Sequence, residues 1–105
     1  MPRVKIIYKI TYPNGKIYIG SDTAYNINYF GSANHELVAS DFSWEEQKNF
    51  TVRKEILWES ETASNSEVVK LEMTYIREFK ANDPEFGYNR HPRFVKRENS
   101  SKLGI

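Results

Sequence analysis

The order of elements in this 105-residue sequence predicts an α+β fold, a small central antiparallel sheet of about three strands flanked by helices. Three observations carry the prediction. Residues 4–20 alternate apolar and other side chains on both sides of a turn, the pattern of a hairpin. Residues 50–58 form a further β-rich run. Two capping boxes, Ser43 with Glu46 and Ser64 with Glu67, announce helices in the second half.

In the first strand Val4, Ile6, Tyr8, Ile10 and Tyr12 share one face, with Lys5, Ile7, Lys9 and Thr11 on the other. Pro13-Asn14-Gly15 supplies the turn: Pro presets its own φ, and Asn and Gly tolerate the positive φ of a tight hairpin. Lys16 to Gly20 returns as the second strand, bringing Tyr18 beside Tyr8. Gly20 marks a close backbone approach, either of DNA or of the following helix. Ser21 to Ser32 is polar with scattered aromatics and reads as a loop or short helical turn. Ala33 to Phe42 has the partial periodicity of a short helix, and Ser43 opens a second, ending near Asn49. Phe50 to Trp58 reads as a third strand with Phe50, Val52, Ile56 and Trp58 on one face, interrupted by Lys54. The longest helix is expected over residues 65–80. At about 100° per residue, Val68, Val69, Leu71, Tyr75, Ile76 and Phe79 form one apolar stripe, Met73 lies at its rim, and Glu72 falls near its centre. Pro84 disfavours helix at Asp83. Phe86 to Asn89 is a short extended segment after a turn, and Glu98 to Ile105 is expected to be disordered.

Composition bounds the function. One domain with one modest core fits this length. There are no cysteines, which excludes disulfides, thiolate zinc sites and a Cys nucleophile and fits a reducing compartment. No apolar run is long enough to span a membrane, and the early first strand predicts no signal peptide. The net charge is only +1, yet residues 1–20 carry Arg3, Lys5, Lys9 and Lys16 with no acid. Residues 81–105 carry Arg90, Arg93, Lys96, Arg97 and Lys102 against three acids. These basic ends form one phosphate-facing surface if the fold unites them, and ordinary solubilising charge if it does not.

Glu72 is the informative residue. A carboxylate facing a core is costly unless it is paired or binds a cation. A basic residue, a hydroxyl such as that of Tyr8 or Tyr18, or a metal ion would satisfy it; a structural ion pair is the plainer alternative. The paired tyrosines are by themselves a packing unit of the sheet.

Ile6-Ile7-Tyr8 followed by Tyr18-Ile19-Gly20 resembles the paired motif of the GIY-YIG endonuclease superfamily, and Asn14 to Ser21 is similar to its second half. Ile6 stands where the family has Gly, and nine residues separate the tyrosines, one fewer than is usual. Val69 to Phe79 with Gly87-Tyr88-Asn89 resembles the later motifs. The resemblance implies a three-stranded antiparallel sheet with helices on its sides, in a domain over residues 1–92 with a basic, polar tail over 93–105. It also implies a DNA endonuclease that hydrolyses phosphodiesters by in-line attack of water. Glu72 would then bind a single catalytic Mg²⁺ (or Mn²⁺), Asn89 would support the site, and Tyr8 and Tyr18 would orient or deprotonate the water. The family's helix Arg is replaced by Asn28 or Tyr29, and no Lys or Arg lies between Lys16 and Lys48. Lys16 is the candidate charge stabiliser, with Arg53 and Lys54 as substitutes and His35 as a weaker candidate. Lys5, Lys9, Arg53, Arg90 and Arg93 are the expected DNA contacts. The cytoplasm of a prokaryotic or phage-infected cell is the implied setting, with monomer and homodimer both open. A non-catalytic nucleic-acid-binding or regulatory protein of the same fold, and a small interaction domain without nucleic acid, are the alternatives.

Overall fold

A computed structural model describes residues 4–95 of the chain. The expectations for Glu98 to Ile105, and for Arg3, Lys96, Arg97 and Lys102, lie outside the described residues. The chain forms β1 (Lys5–Thr11), β2 (Ile17–Asp22), α1 (His35–Asp41), α2 (Trp44–Gln47), β3 (Arg53–Ser60) and α3 (Asn65–Phe79). The expected α+β architecture is present: a three-stranded antiparallel sheet of order β2-β1-β3, with helices around it. No helix among the described residues is long and apolar enough to cross a membrane.

The sheet is buried on both faces because β1 alternates two apolar sets. Ile6, Tyr8 and Ile10 pack with Tyr18, Ala33, Phe42 and Tyr88 in one cluster, against which Leu37 and Val38 of α1 rest. Ile7 and Ile19 pack with Val68, Ile76 and Ala81 in the other, beneath α3. The period-2 pattern of residues 4–20 made the first set legible; the second face, read as Lys5, Ile7, Lys9 and Thr11, is buried at Ile7 because α3 lies over it. The turn is closed by Tyr12 N–H to the Lys16 carbonyl (2.9 Å) and Gly15 N–H to the Tyr12 carbonyl (2.8 Å), with Gly15 at φ 88°. Both predicted capping boxes close.

β3 departs from the expected single face. Its register against β1 shifts between Ile7, opposite Trp58, and Tyr8, opposite Ile56, so Leu57 is an extra residue. A bulge of one residue reverses the side-chain alternation beyond it. Val52 therefore packs with the Tyr8 cluster, Trp58 with the Ile7 cluster, and Ile56 is left 47% exposed. The strand begins at Arg53 rather than Phe50, because pairing with β1 starts opposite Thr11. Lys54, the apparent interruption, lies near the rings of Tyr8, Tyr25 and Phe30 and donates to the carbonyls of Tyr29 (2.6 Å) and Asn26 (3.3 Å). Burial lowers its ammonium from the usual range, opposed by the charge of Asp22.

α3 ends before Pro84 acts. Lys80 takes a left-handed conformation (φ 57°), Lys80 N–H bonds the Arg77 carbonyl and Ala81 N–H the Ile76 carbonyl. This is the Schellman pattern with Lys where Gly is usual. Val68 and Ile76 are buried as expected, whereas Val69 (56% exposed) and Phe79 (38%) lie at the outer margins of the stripe.

Candidate active site

β2 is an edge strand, and its free edge is where the site forms. Tyr18 comes from the face that carries Tyr8; Glu72 comes from α3, which covers the opposite face. The segment after α3 runs along this edge. Ile17 N–H bonds the Phe86 carbonyl (3.1 Å), Tyr88 N–H bonds the Ile17 carbonyl (2.8 Å), and Gly87 forms a parallel bridge to Ile17. The Asn89 side chain then continues the ladder: its Oδ1 accepts from Ile19 N–H and its Nδ2 donates to the Ile19 carbonyl, both at 2.8 Å. One amide side chain thus satisfies the two backbone groups that an edge strand would leave unpaired.

The resulting cavity, about 440 Å³, is lined by Tyr18, Ser32, Ala33, His35, Glu72, Met73, Ile76, Asn89, Arg90 and His91. Tyr18, Glu72, Asn89 and Arg90 of the sequence-derived set therefore share one cavity. Glu72 faces inward, as its helix position implied, and its Oε1 accepts from the Ser21 hydroxyl at 3.0 Å. Ser21 is a partner that the sequence reading does not include, although its parity on β2, shared with Ile17 and Ile19, points it toward α3. Burial pushes the Glu72 carboxyl above its ordinary range, and the Ser21 hydrogen bond offsets part of that. Tyr18 is nearly buried; its hydroxyl oxygen accepts from Ser32 N–H at 3.1 Å.

Tyr8 lies deeper. Its ring centroid is 6.3 Å from that of Tyr18, it is fully buried, and its hydroxyl has no hydrogen-bond partner among the described residues. The close approach marked by Gly20 is to this side chain: a Cβ on Gly20 or Gly31 would collide with the Tyr8 hydroxyl and the Tyr18 ring. Burial first, then the neighbouring Tyr18, Tyr29, Glu72 and Asp22, push the Tyr8 phenol far above its usual range. An unpaired buried hydroxyl costs about 1–3 kcal/mol. We therefore expect Tyr8→Phe to raise stability in urea by about 1 kcal/mol while reducing any activity that uses the hydroxyl. A Tyr8→Phe protein that is less stable would mean the hydroxyl is already satisfied.

The remaining sequence-derived residues are engaged elsewhere. Lys16 Nζ bonds Asp41 Oδ2 at 2.7 Å, the Tyr88 hydroxyl donates to the same oxygen at 2.7 Å, and Asn14 Nδ2 donates to the Tyr88 hydroxyl at 2.9 Å. The Lys16 and Tyr88 hydrogen bonds hold the Asp41 carboxyl below its usual range, and burial above all pushes the Tyr88 phenol up to about 12. This network ties the hairpin turn to the end of α1, and Lys16 does not line the cavity. Lys5 donates to the Ala63 carbonyl (2.6 Å), Lys9 and Arg53 pair with Glu55 (3.4 and 3.7 Å), and Arg93 lines a separate groove with Arg77 and Lys80. His35 and His91 do reach the cavity. His91 was missed because nothing in a coil after α3 marks which of its residues turns back on β2.

The donor set fits a loosely held divalent cation. Glu72 is one inward carboxylate with a single hydroxyl donor and no cationic partner among the described residues. Mg²⁺ keeps several waters and takes one or two carboxylates together with phosphate oxygens. No group of three or more His, Cys, Asp or Glu able to enclose an ion stands together among the described residues. No family model, curated protein or solved structure matches the chain.

Proposed function

We propose that the protein is a GIY-YIG-type DNA endonuclease that hydrolyses phosphodiester bonds by in-line attack of water. The observation that carries this reading is the convergence of Tyr18, Glu72 and Asn89, distant in sequence, on one cavity at the β2 edge. Glu72 would hold Mg²⁺ or Mn²⁺, which when bound supplies Lewis-acid polarisation of the phosphate. Asn89 has a positioning role: its clamp on Ile19 fixes the backbone between Tyr18 and Gly20. Tyr18 has its hydroxyl oxygen held by Ser32 N–H, which leaves its proton to hydrogen-bond an oxygen in the cavity. Tyr8 stays protonated at neutral pH; its hydroxyl is buried behind Tyr18 and does not line the cavity, so Tyr8 packs the site from behind and is not the base. The incoming water oxygen bonds phosphorus as the bond to the opposite sugar oxygen breaks; the water's proton passes to solvent, and the departing oxygen takes one up from solvent. The cytoplasm of a prokaryotic or phage-infected cell is the setting this reading implies.

A non-catalytic nucleic-acid-binding protein is the second reading, favoured by the complete burial of Tyr8. Supercoiled plasmid incubated with Mg²⁺ or Mn²⁺ distinguishes the two. Metal-dependent nicking that disappears with EDTA is the expected result. DNA that is retained in a gel shift yet stays intact with either metal would establish the second reading.

A further inference from the structure

Resting on the nuclease reading, we propose that Arg90 is the residue that stabilises the negative charge developing on the phosphate during cleavage. Stabilising that charge usually lowers the barrier more than any other single effect, and it requires a cation carried to the site on a held backbone. Arg90 is the one Lys or Arg lining the cavity that holds Tyr18 and Glu72.

Its backbone is fixed from both sides. Asn89 grips both backbone groups of Ile19, and Asn82 Nδ2 donates to the Pro92 carbonyl at 2.7 Å. Arg90 and His91 are the two residues between these clamps, so the backbone that brings them to the cavity lining is held in place. The guanidinium is uncommitted: Arg90 forms no ion pair among the described residues, whereas Lys9, Lys16, Lys48 and Arg53 each pair with a carboxylate. Its planar fork matches two phosphate oxygens at once. Glu72, which accepts from Ser21, likewise forms no ion pair among the described residues, so the cavity lining holds a carboxylate and a guanidinium that do not neutralise each other. A phosphate can then meet both, the guanidinium directly and the carboxylate through a bound cation.

The test is single-turnover cleavage of a labelled duplex at saturating enzyme, with Mg²⁺, beside binding of the same duplex by fluorescence anisotropy in EDTA. Arg90→Ala is expected to slow cleavage by about 10²–10³-fold while weakening binding by less than about tenfold. Arg90→Lys should retain part of the rate, and added guanidinium ion should restore part of it to Arg90→Ala. Unfolding does not explain such a loss if Arg90→Ala melts with the wild type, as expected for an exposed side chain. Rescue by guanidinium is a result that a merely structural role would not give. Cleavage by Arg90→Ala within about threefold of the wild type overturns the assignment. So does a loss confined to affinity, with the saturated rate unchanged, or a large loss in His91→Ala alone. Those outcomes leave the nuclease reading standing. A wild type that cleaves no DNA overturns both.

Discussion

On the proposed nuclease reading, replacing Glu72 by Gln is expected to lower cleavage by about 10³-fold or more, because the isosteric amide cannot supply the carboxylate charge that would hold a divalent cation. The same substitution should make the metal-free protein more stable at pH 7. The Glu72 carboxyl is raised above its ordinary 4.5 by burial, so the folded state disfavours its charged form. A raised acid contributes stability below its unfolded pKa that is lost as pH rises through the folded value. Gln carries no such loss. Glu72→Gln should therefore melt above the wild type at pH 7. The margin should close as the pH approaches 4. Mg²⁺ at ten times its Kd should raise the wild-type stability by about 1.4 kcal/mol and leave the variant unmoved. Thermal melts across pH 4–8, with and without Mg²⁺, read all of these effects. A variant that melts below the wild type at pH 7, with no Mg²⁺ response in either protein, would show that Glu72 is a structural hydrogen-bond acceptor.

Gly87→Ala is expected to be the most damaging small substitution. Gly87 has no positive φ among the described glycines, so conformation does not require it; space does. A Cβ there would meet the Ala81 carbonyl oxygen, the Ala81 Cα at 2.6 Å and the Ile17 carbonyl oxygen at 2.7 Å. All three are backbone atoms, and no rotamer change makes room. Either the exit of α3 shifts or residues 86–90 leave the β2 edge, carrying Asn89 and Arg90 with them. Overpacking of this kind costs about 3 kcal/mol, roughly 10–20 °C in Tm. Activity should fall even below the new Tm. Gly15→Ala is the contrast: Gly15 has a positive φ and nothing within 4 Å of the added Cβ. It should cost only about 1 kcal/mol and leave the cavity intact. Equal losses from the two substitutions would contradict the close packing of residues 81, 87 and 17.

Much of the architecture was legible because it obeys local rules. The period-2 run of β1 specified the apolar face that carries Tyr8, and Ser43 and Ser64 with their paired glutamates specified two helix starts. The 3.6-residue period put Glu72 inward. Other features had no local signal. The bulge at Leu57 changes the face of Trp58 through pairing with a strand about fifty residues earlier. Lys16 looked as available as any lysine until Asp41, from the end of α1, reached it. Arg90 looked like one basic residue among several in the last quarter of the chain.

The sequence by itself determined the hairpin, the helix starts, the central sheet and the inward carboxylate, since each follows from side-chain periodicity or capping within a few residues. Only the tertiary structure decided that Phe86 to Asn89 covers the β2 edge. That edge offers backbone donors and acceptors, and the partner that satisfies them lies some seventy residues away. This pairing gathers Tyr18, Glu72, Asn89 and Arg90 into one cavity and leaves Lys16 bound to Asp41. Which cation remains free is set by contacts between distant segments, and such contacts leave no mark in local residue patterns.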